Sequence, residues 1–174
     1  PGMTSPGSFL EGGVYRSPPV TIARSPMSLR RSAAYFFDSS ALVKRYLNET
    51  GSSTVQRLLR ERAAVSRLSE VEIASALARR TRERVISAGD RDRGLQKLAE
   101  DFRTFWVVEV NPEVIDVAKK LVTRHPLRAA DAVQLASCLY ARREVSEEVA
   151  LVTFDERLAQ AATAEHIPVI PSVQ

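Results

Sequence analysis

Four acidic residues that are far apart in the sequence each follow a predicted strand or lie in the first turns of a predicted helix. Asp38 directly follows an apolar run, and Asp155 follows another, 151–154. Glu72 and Asp131 fall early in two helix-like segments. Carboxylate oxygens are the preferred ligands of Mg²⁺ and Mn²⁺, which lower the pKa of a bound water and stabilise charge on a phosphodiester. One chemistry open to these residues is therefore metal-dependent phosphodiester hydrolysis.

Each of the four acids also has a simpler structural interpretation. Asp38, or the serine after it, is suited to cap the next helix, and Ser69-x-x-Glu72 matches a capping box. Asp131 and Asp155 would stabilise the dipoles of the helices in which they stand. The joint pattern favours a shared site, because residues at the carboxyl ends of parallel strands meet at one edge of the sheet.

Asp131 has the most informative surroundings of the four. It lies among apolar residues in the segment 128–142, so this helix is expected to be buried. A buried carboxylate without a partner is very costly. The sequence offers two partners, which are Arg128 and a divalent cation shared with Asp38 and Asp155.

The elements that would position these acids alternate between strands and helices. Short apolar runs predict five strands, at 33–37, 63–68, 106–110, 150–154 and 167–170. Helix-like segments separate them, and this order is typical of an α/β fold with a parallel sheet of about four to five strands covered on both faces. Residues 1–31, rich in Pro, Gly and Ser, are predicted to be a flexible N-terminal extension or a cloning remnant, and residues 32–174 a single domain.

Four segments around these acids occur in a characteristic order. They are D-S-S-A-L-V-K from Asp38, S-E-V-E-I-A-S-A-L-A-R-R from Ser69, L-R-A-A-D-A-V-Q-L-A from Leu127 and L-V-T-F-D-E-R-L-A-Q-A-A from Leu151. Together they resemble the PIN domain, and most closely its VapC-type toxin ribonucleases. The resemblance covers roughly residues 35–170 and implies that 32–174 form a three-layer α/β/α PIN-like nuclease domain.

The resemblance also implies a function. It implies a metal-dependent endoribonuclease that is the toxin of a type II toxin–antitoxin pair, forms a homodimer and is inhibited by a VapB-type antitoxin. Its catalytic and metal-binding acids would be Asp38, Glu72, Asp131 and Asp155, with Mg²⁺ or Mn²⁺ as cofactor and RNA as substrate. Glu72 matches the family pattern better than Glu70, although a shift of one pair would exchange them.

The composition is that of an ordinary globular protein. A single cysteine excludes an internal disulfide and fits a reducing compartment, and no apolar run approaches the ~20 residues needed to span a bilayer, so a cytoplasmic protein without membrane contact is expected. The net charge is +4, but residues 1–32 contain four arginines and one glutamate and account for most of it. The overall charge therefore does not predict RNA binding by the domain.

Local basic residues remain candidates for contacts with RNA. Lys44 is expected to be solvated rather than bound to phosphate. The cluster Arg79, Arg80, Arg82 and Arg84 would contact the RNA backbone or an acidic antitoxin segment, or form a solvated helix end.

Two other functions fit parts of this pattern. An aspartate-nucleophile phosphatase also places an acid after its first strand, but this chemistry usually needs a second aspartate two residues later, where Ser40 stands. The other alternative is a catalytically silent PIN-like module that binds RNA or protein. The presence of all four acids argues against it.

Overall fold

The computed structural model of the protein describes residues 34–145 and 148–171. All of them belong to the predicted domain 32–174. The predicted N-terminal extension, 1–31, lies outside the described residues, so its interpretation stays a prediction.

A five-stranded parallel sheet forms the centre of the fold. Its strands are β1 (Ala34–Phe37), β2 (Arg62–Ser66), β3 (Trp106–Val108), β4 (Val149–Val152) and β5 (Val169–Ile170). Their order across the sheet is β3-β2-β1-β4-β5, so the first strand of the sequence lies in the middle. Every neighbouring pair is parallel, which confirms the predicted α/β class.

Seven α-helices and one short 3₁₀-helix connect the strands within the described residues. The α-helices are α1 (Ser39–Leu42), α2 (Ser52–Leu58), α3 (Leu68–Arg82), α4 (Ala88–Asp101), α5 (Pro112–Arg124), α6 (Ala129–Glu144) and α7 (Glu156–Ala164), and the 3₁₀-helix is Val43–Arg45. None of these helices has the length and apolar character needed to cross a membrane.

The two faces of the sheet are covered by separate apolar cores. Phe36 packs in a core with residues of α5, α6 and α7, whereas its neighbour Phe37 packs with residues of α1, α2, α3 and α4. Both phenylalanines are fully buried. Because successive side chains of a strand point to opposite faces, an apolar run in β1 supplies both cores at once. The predicted three-layer α/β/α arrangement is confirmed.

The carboxyl ends of β1, β2 and β4 lie side by side at one edge of the sheet. Phe37 is in register with Val65 of β2 and with Val152 of β4. The backbone N–H of Asp38 donates to the carbonyl oxygen of Val152 at 3.2 Å, which extends the pairing by one residue. The segments that follow these strands therefore meet, whatever their separation in the sequence.

Candidate active site

Asp38 ends β1, and hydrogen bonds hold its carboxylate in place. Its Oδ1 accepts from Ser40 Oγ at 2.8 Å and from the backbone N–H of Ala41 at 2.9 Å, so Asp38 does cap α1. Only 4% of the residue is exposed. Burial raises the pKa of Asp38 to about 6, although hydrogen bonds from Ala41, Ser40 and Thr153 oppose the increase. The ionised form of Asp38 is therefore costly in the protein as it stands.

The end of β4 brings further polar groups beside Asp38. Thr153 Oγ1 lies 3.2 Å from Ser40 Oγ and accepts from the backbone N–H of Asp155 at 3.1 Å. Ser40 Oγ also accepts from the backbone N–H of Phe154 at 2.9 Å. Asp155 Oδ1 accepts from a backbone N–H in the first turn of α7 at 2.9 Å and caps that helix. The capping roles of Asp38 and Asp155 thus coexist with a common position at the sheet edge.

Glu72 lies in a cluster of polar side chains contributed by α1, α3 and α6. Its Oε2 accepts from Ser39 Oγ at 2.5 Å and from Gln134 Nε2 at 2.7 Å. Gln134 Nε2 also lies 2.8 Å from Ser39 Oγ and 3.0 Å from Ser69 Oγ. Ser69 and Gln134 are both buried. Three helices therefore determine where the Glu72 carboxylate lies.

The charge of Glu72 determines the orientation of the Gln134 amide. With Nε2 toward the carboxylate, the amide donates a hydrogen bond, whereas the opposite orientation would set Oε1 against a negative oxygen. Gln134 Oε1 is consequently buried, and no other buried side-chain oxygen or nitrogen of the described residues lacks a hydrogen-bond partner. An unpaired buried oxygen is destabilising. The hydrogen bond from Gln134 Nε2 to Glu72 is therefore accompanied by an unfavourable contribution from Oε1 of the same side chain.

The capping box predicted for Ser69 and Glu72 is wrong. The N-cap residue of α3 is Arg67, and no side chain caps this end. Ser69 is already inside the helix and contacts Gln134. Gln134 was not among the residues predicted from the sequence, although an amide in an otherwise apolar helix, one turn after Asp131, is a signal that could have identified it.

Glu70, the alternative to Glu72, points to the surface. Its Oε2 accepts from Arg67 Nη1 at 3.0 Å, and Arg67 also pairs with Glu109 at 2.6 Å. Nearly half of the Glu70 side chain is exposed. Of the two glutamates, the structure brings Glu72 into the polar cluster.

Asp131 lies in the first turn of α6 and is partly buried. Desolvation raises its pKa, and the negative charges of Asp155 and Glu72 raise it further. The backbone and the positive charge of Arg128 oppose the increase. Arg128, one of the two partners that the sequence offered, therefore compensates Asp131 only in part. Asp155 and Glu72 are near enough to repel Asp131.

An open cavity of about 340 Å³ adjoins two of the four acids. The residues that line it are Arg128, Asp131, Phe154, Asp155, Glu156 and Arg157. Asp38 and Glu72 are held instead in the hydrogen-bonded clusters. As the side chains stand, no three Asp, Glu, His or Cys residues within 34–145 and 148–171 form a group that could hold a metal ion. The four-carboxylate metal set thus stays a prediction.

Lys44 is not solvated as the sequence predicted. Its ammonium lies 4.5 Å from the centroid of the Phe154 ring and 3.5 Å from Glu49 Oε2, and only 12% of its side chain is exposed. Within the predicted arginine cluster, Arg80 also pairs with Glu49, at 2.8 Å. Whether this cluster contacts RNA or a protein partner stays a prediction.

A family model and a curated relative match most of this chain. A family model for the PIN domain matches residues 35–164. Ribonuclease VapC45 of Mycobacterium tuberculosis (strain CDC 1551 / Oshkosh) is 34% identical over 143 residues, which are 79% of this chain and 94% of that protein.

Solved structures show the same fold at lower identity. M. tuberculosis VapC20, described as a Sarcin-Ricin loop cleaving toxin, has a TM-score of 0.56 and 18% identity, covering 73% of this chain and 94% of that one. A toxin–antitoxin complex from Klebsiella pneumoniae has a TM-score of 0.54 and 15% identity, covering 72% of this chain and 90% of that one.

Proposed function

The chain belongs to the PIN domain family and is a VapC-type toxin endoribonuclease, and we propose that it hydrolyses RNA with a divalent cation held by Asp38, Glu72, Asp131 and Asp155. The observation that carries this proposal is that Asp131, at the carboxyl edge of the sheet, lies close enough to Asp155 and Glu72 for their negative charges to raise its pKa. The pKa values of Asp38 and Asp131 are raised there, by burial in the first case and by burial and neighbouring acids in the second.

The donor set fits a divalent cation. A cation would stabilise the ionised forms that burial and mutual repulsion make costly. Mg²⁺ keeps several of its waters and is commonly bound through one or two carboxylates together with substrate phosphates. Asp131 and Asp155, which both line the cavity, are therefore enough to receive it, and Asp38 and Glu72 complete the set.

When bound, the cation would supply an activated water and stabilise charge on the phosphodiester. The side chains of the site would position the substrate and the carboxylates. Asp131 and Asp155 line the space that a phosphodiester would enter. Gln134 and Ser39 hold Glu72 in one orientation, because both donate to the same carboxylate oxygen. Arg128 supplies positive charge beside Asp131, where a phosphate would arrive.

The partners we propose follow from the family. We expect a VapB-type antitoxin, because similar solved structures include toxin–antitoxin complexes. A homodimer and a cytoplasmic location, where both RNA and antitoxin are present, are part of the same proposal.

The test is cleavage of transfer, ribosomal and messenger RNA by the full chain in Mg²⁺, in Mn²⁺ and in EDTA. We expect cleavage with either ion and none in chelator. Asp131→Asn is the matched variant, because it keeps the shape of the side chain and removes its charge, and it should be inactive in both metals. Unchanged cleavage in EDTA, or full activity of this variant, would refute metal-assisted hydrolysis. Metal binding without cleavage of any RNA would indicate the silent module instead.

A further inference from the structure

The cavity contains more than the acids that a metal ion needs. Its wall also includes an aromatic ring, that of Phe154, and two arginines, Arg128 and Arg157. Aromatic rings stack with unpaired bases, and arginines bind phosphate, so this combination is typical of surfaces that bind single-stranded RNA.

Phe154 is fixed in position by its neighbours. The Lys44 ammonium lies over one face of the ring, 4.5 Å from its centroid. Gly51 lies at the edge of the ring, where a β-carbon would be only 2.6 Å from ring atoms Cε1 and Cζ. The backbone N–H of Phe154 donates to Ser40 Oγ at 2.9 Å. A ring held at its face, its edge and its backbone loses little further freedom when a base stacks on it.

Arg128 and Arg157 differ from Arg67 in forming no salt bridge with any residue that the structure describes. Arg67 pairs with Glu70 and Glu109. Within the described residues, Arg128 and Arg157 form no salt bridge, and both are exposed. Arg128 lies near Asp131, but neither guanidinium is held in a salt bridge with a residue of 34–145 or 148–171, so both are available to phosphate oxygens.

We propose that this cavity is a nucleotide subsite, in which one base of single-stranded RNA stacks on Phe154 while adjacent phosphates contact Arg128 and Arg157. This inference rests on the proposed function and adds where the nucleotide next to the cleaved bond is held. Phe154 carries no polar group, so the subsite accepts any base and contributes affinity rather than sequence readout. Phe154 is partly buried against the core that contains Phe37, and the part of the ring that lines the cavity is where a base would stack.

The experiment measures whether the loss of RNA affinity on removing the Phe154 ring depends on the presence of a base at one position of the RNA. Binding of a ten-nucleotide single-stranded RNA is measured in Ca²⁺, and a gel checks that the RNA stays uncleaved. The same measurement is made with a set of RNAs, each of which has one abasic position. In the natural chain, one abasic position should weaken binding by roughly 5- to 150-fold, the range of base–aromatic stacking. Phe154→Leu should weaken binding of intact RNA by a similar factor, with no additional loss at that abasic position. Phe154→Trp should restore both values.

Several outcomes would overturn the subsite. If Phe154→Leu binds intact RNA as tightly as the natural chain does, no base stacks on the ring, as expected if the ring contacts a protein partner instead. If Phe154→Leu weakens RNA binding by the same factor for the intact RNA and for every abasic RNA, the ring supports only the surrounding structure. Thermal unfolding of each variant identifies loss of folding, and Phe154→Trp then supplies the stacking test in a folded protein.

The same measurements separate the two proposals. Coupling between ring and base without any RNA cleavage in Mg²⁺ or Mn²⁺ would overturn metal-assisted hydrolysis and leave the subsite standing. Cleavage by the natural chain without such coupling would overturn the subsite alone.

Discussion

The four acids of the proposed site divide into two halves that are held in different ways. In the inner half, Asp38 and Glu72 accept hydrogen bonds from side chains of two helices, α1 and α6, and are kept in fixed positions. In the outer half, Asp131 and Asp155 line an open cavity between Arg128 and Arg157. The inner half is thus arranged for precise position, and the outer half for access.

The two halves meet two different requirements of a nuclease of this kind, a fixed carboxylate and room for the metal ion and the phosphate. A fixed carboxylate must be supported by neighbouring groups, and burial then makes its charge costly, as the raised pKa of Asp38 indicates. A carboxylate that meets a hydrated ion and a phosphate must leave room for both. We therefore expect substitutions in the inner half to change stability and activity together, and those in the outer half to change substrate binding or activity with a smaller effect on stability.

The largest effects are expected for Asp38→Asn and Asp131→Asn, which should differ in stability but not in their loss of cleavage. Both should reduce cleavage by at least about 100-fold, since each removes a charge from the site. In EDTA at pH 8, Asp38→Asn should also raise the free energy of unfolding by roughly 2–3 kcal/mol, because a buried charge is removed while the acceptor oxygen for Ser40 and Ala41 remains. Asp131, which is only partly buried, should show a smaller gain. Denaturant unfolding measures both, and a loss of stability in Asp38→Asn would contradict the interpretation of the inner half.

The pH dependence of this gain has a defined sign. The pKa of Asp38 is raised from 3.8 to about 6, so the folded state holds the proton more tightly than the unfolded state does. The destabilisation should be complete above pH 6 and should disappear as the pH falls toward 4. The difference in stability between Asp38→Asn and the natural chain should shrink over that window. A difference that is constant between pH 4 and 8 would exclude Asp38 as its source.

A second effect, of intermediate size, is expected for Gln134→Leu. Without the amide, Glu72 loses a hydrogen bond to its charge, so we expect a loss of about 1–3 kcal/mol in stability and of roughly 10- to 100-fold in cleavage. Ser137→Ala is the matched control, because it removes a buried hydrogen bond to Ser66 one turn further along α6. It should lower stability without a comparable loss of cleavage. Equal effects of the two variants on cleavage would mean that Gln134 does not act through Glu72.

The smallest effects are expected for the arginines of the outer half. Arg128→Ala and Arg157→Ala should each leave stability nearly unchanged and weaken RNA binding a few-fold. Each should reduce the slope of log affinity against log salt by about 0.7, the value for one phosphate contact with a single strand. Arg103→Ala, an exposed position between α4 and the start of β3 at the opposite edge of the sheet, serves as control. A slope that changes equally in all three variants would argue against phosphate contacts at the cavity.

The fold was predictable because its signals are local and repeated. Apolar runs alternating with amphipathic segments predict a parallel sheet, and the positions of Asp38 and Asp155 follow from the ends of two strands. Local sequence patterns do not predict every helix cap, as two similar patterns show. Ser87 and Asp90 form a capping box at the exposed start of α4, whereas Ser69 and Glu72, with the same spacing, do not.

What separates the two patterns is tertiary contact. Ser69 and Glu72 meet Gln134, which is distant in the sequence, and local preference does not contain that information. Lys44 gives the same lesson, because its expected exposure is overridden by the Phe154 ring and by Glu49. Local patterns predict elements, and the partners of a polar side chain depend on how those elements pack.

Gly51 couples two loops that the sequence keeps far apart. Its backbone φ of +92° is one that residues with a β-carbon rarely adopt, and a β-carbon there would collide with the ring of Phe154. Positions 51 and 154 should consequently covary among relatives, with a large aromatic residue at 154 accompanying glycine at 51. Relatives that lost this glycine during divergence should carry a smaller side chain at 154, and a comparison of such lineages would reveal how the subsite changed through evolution.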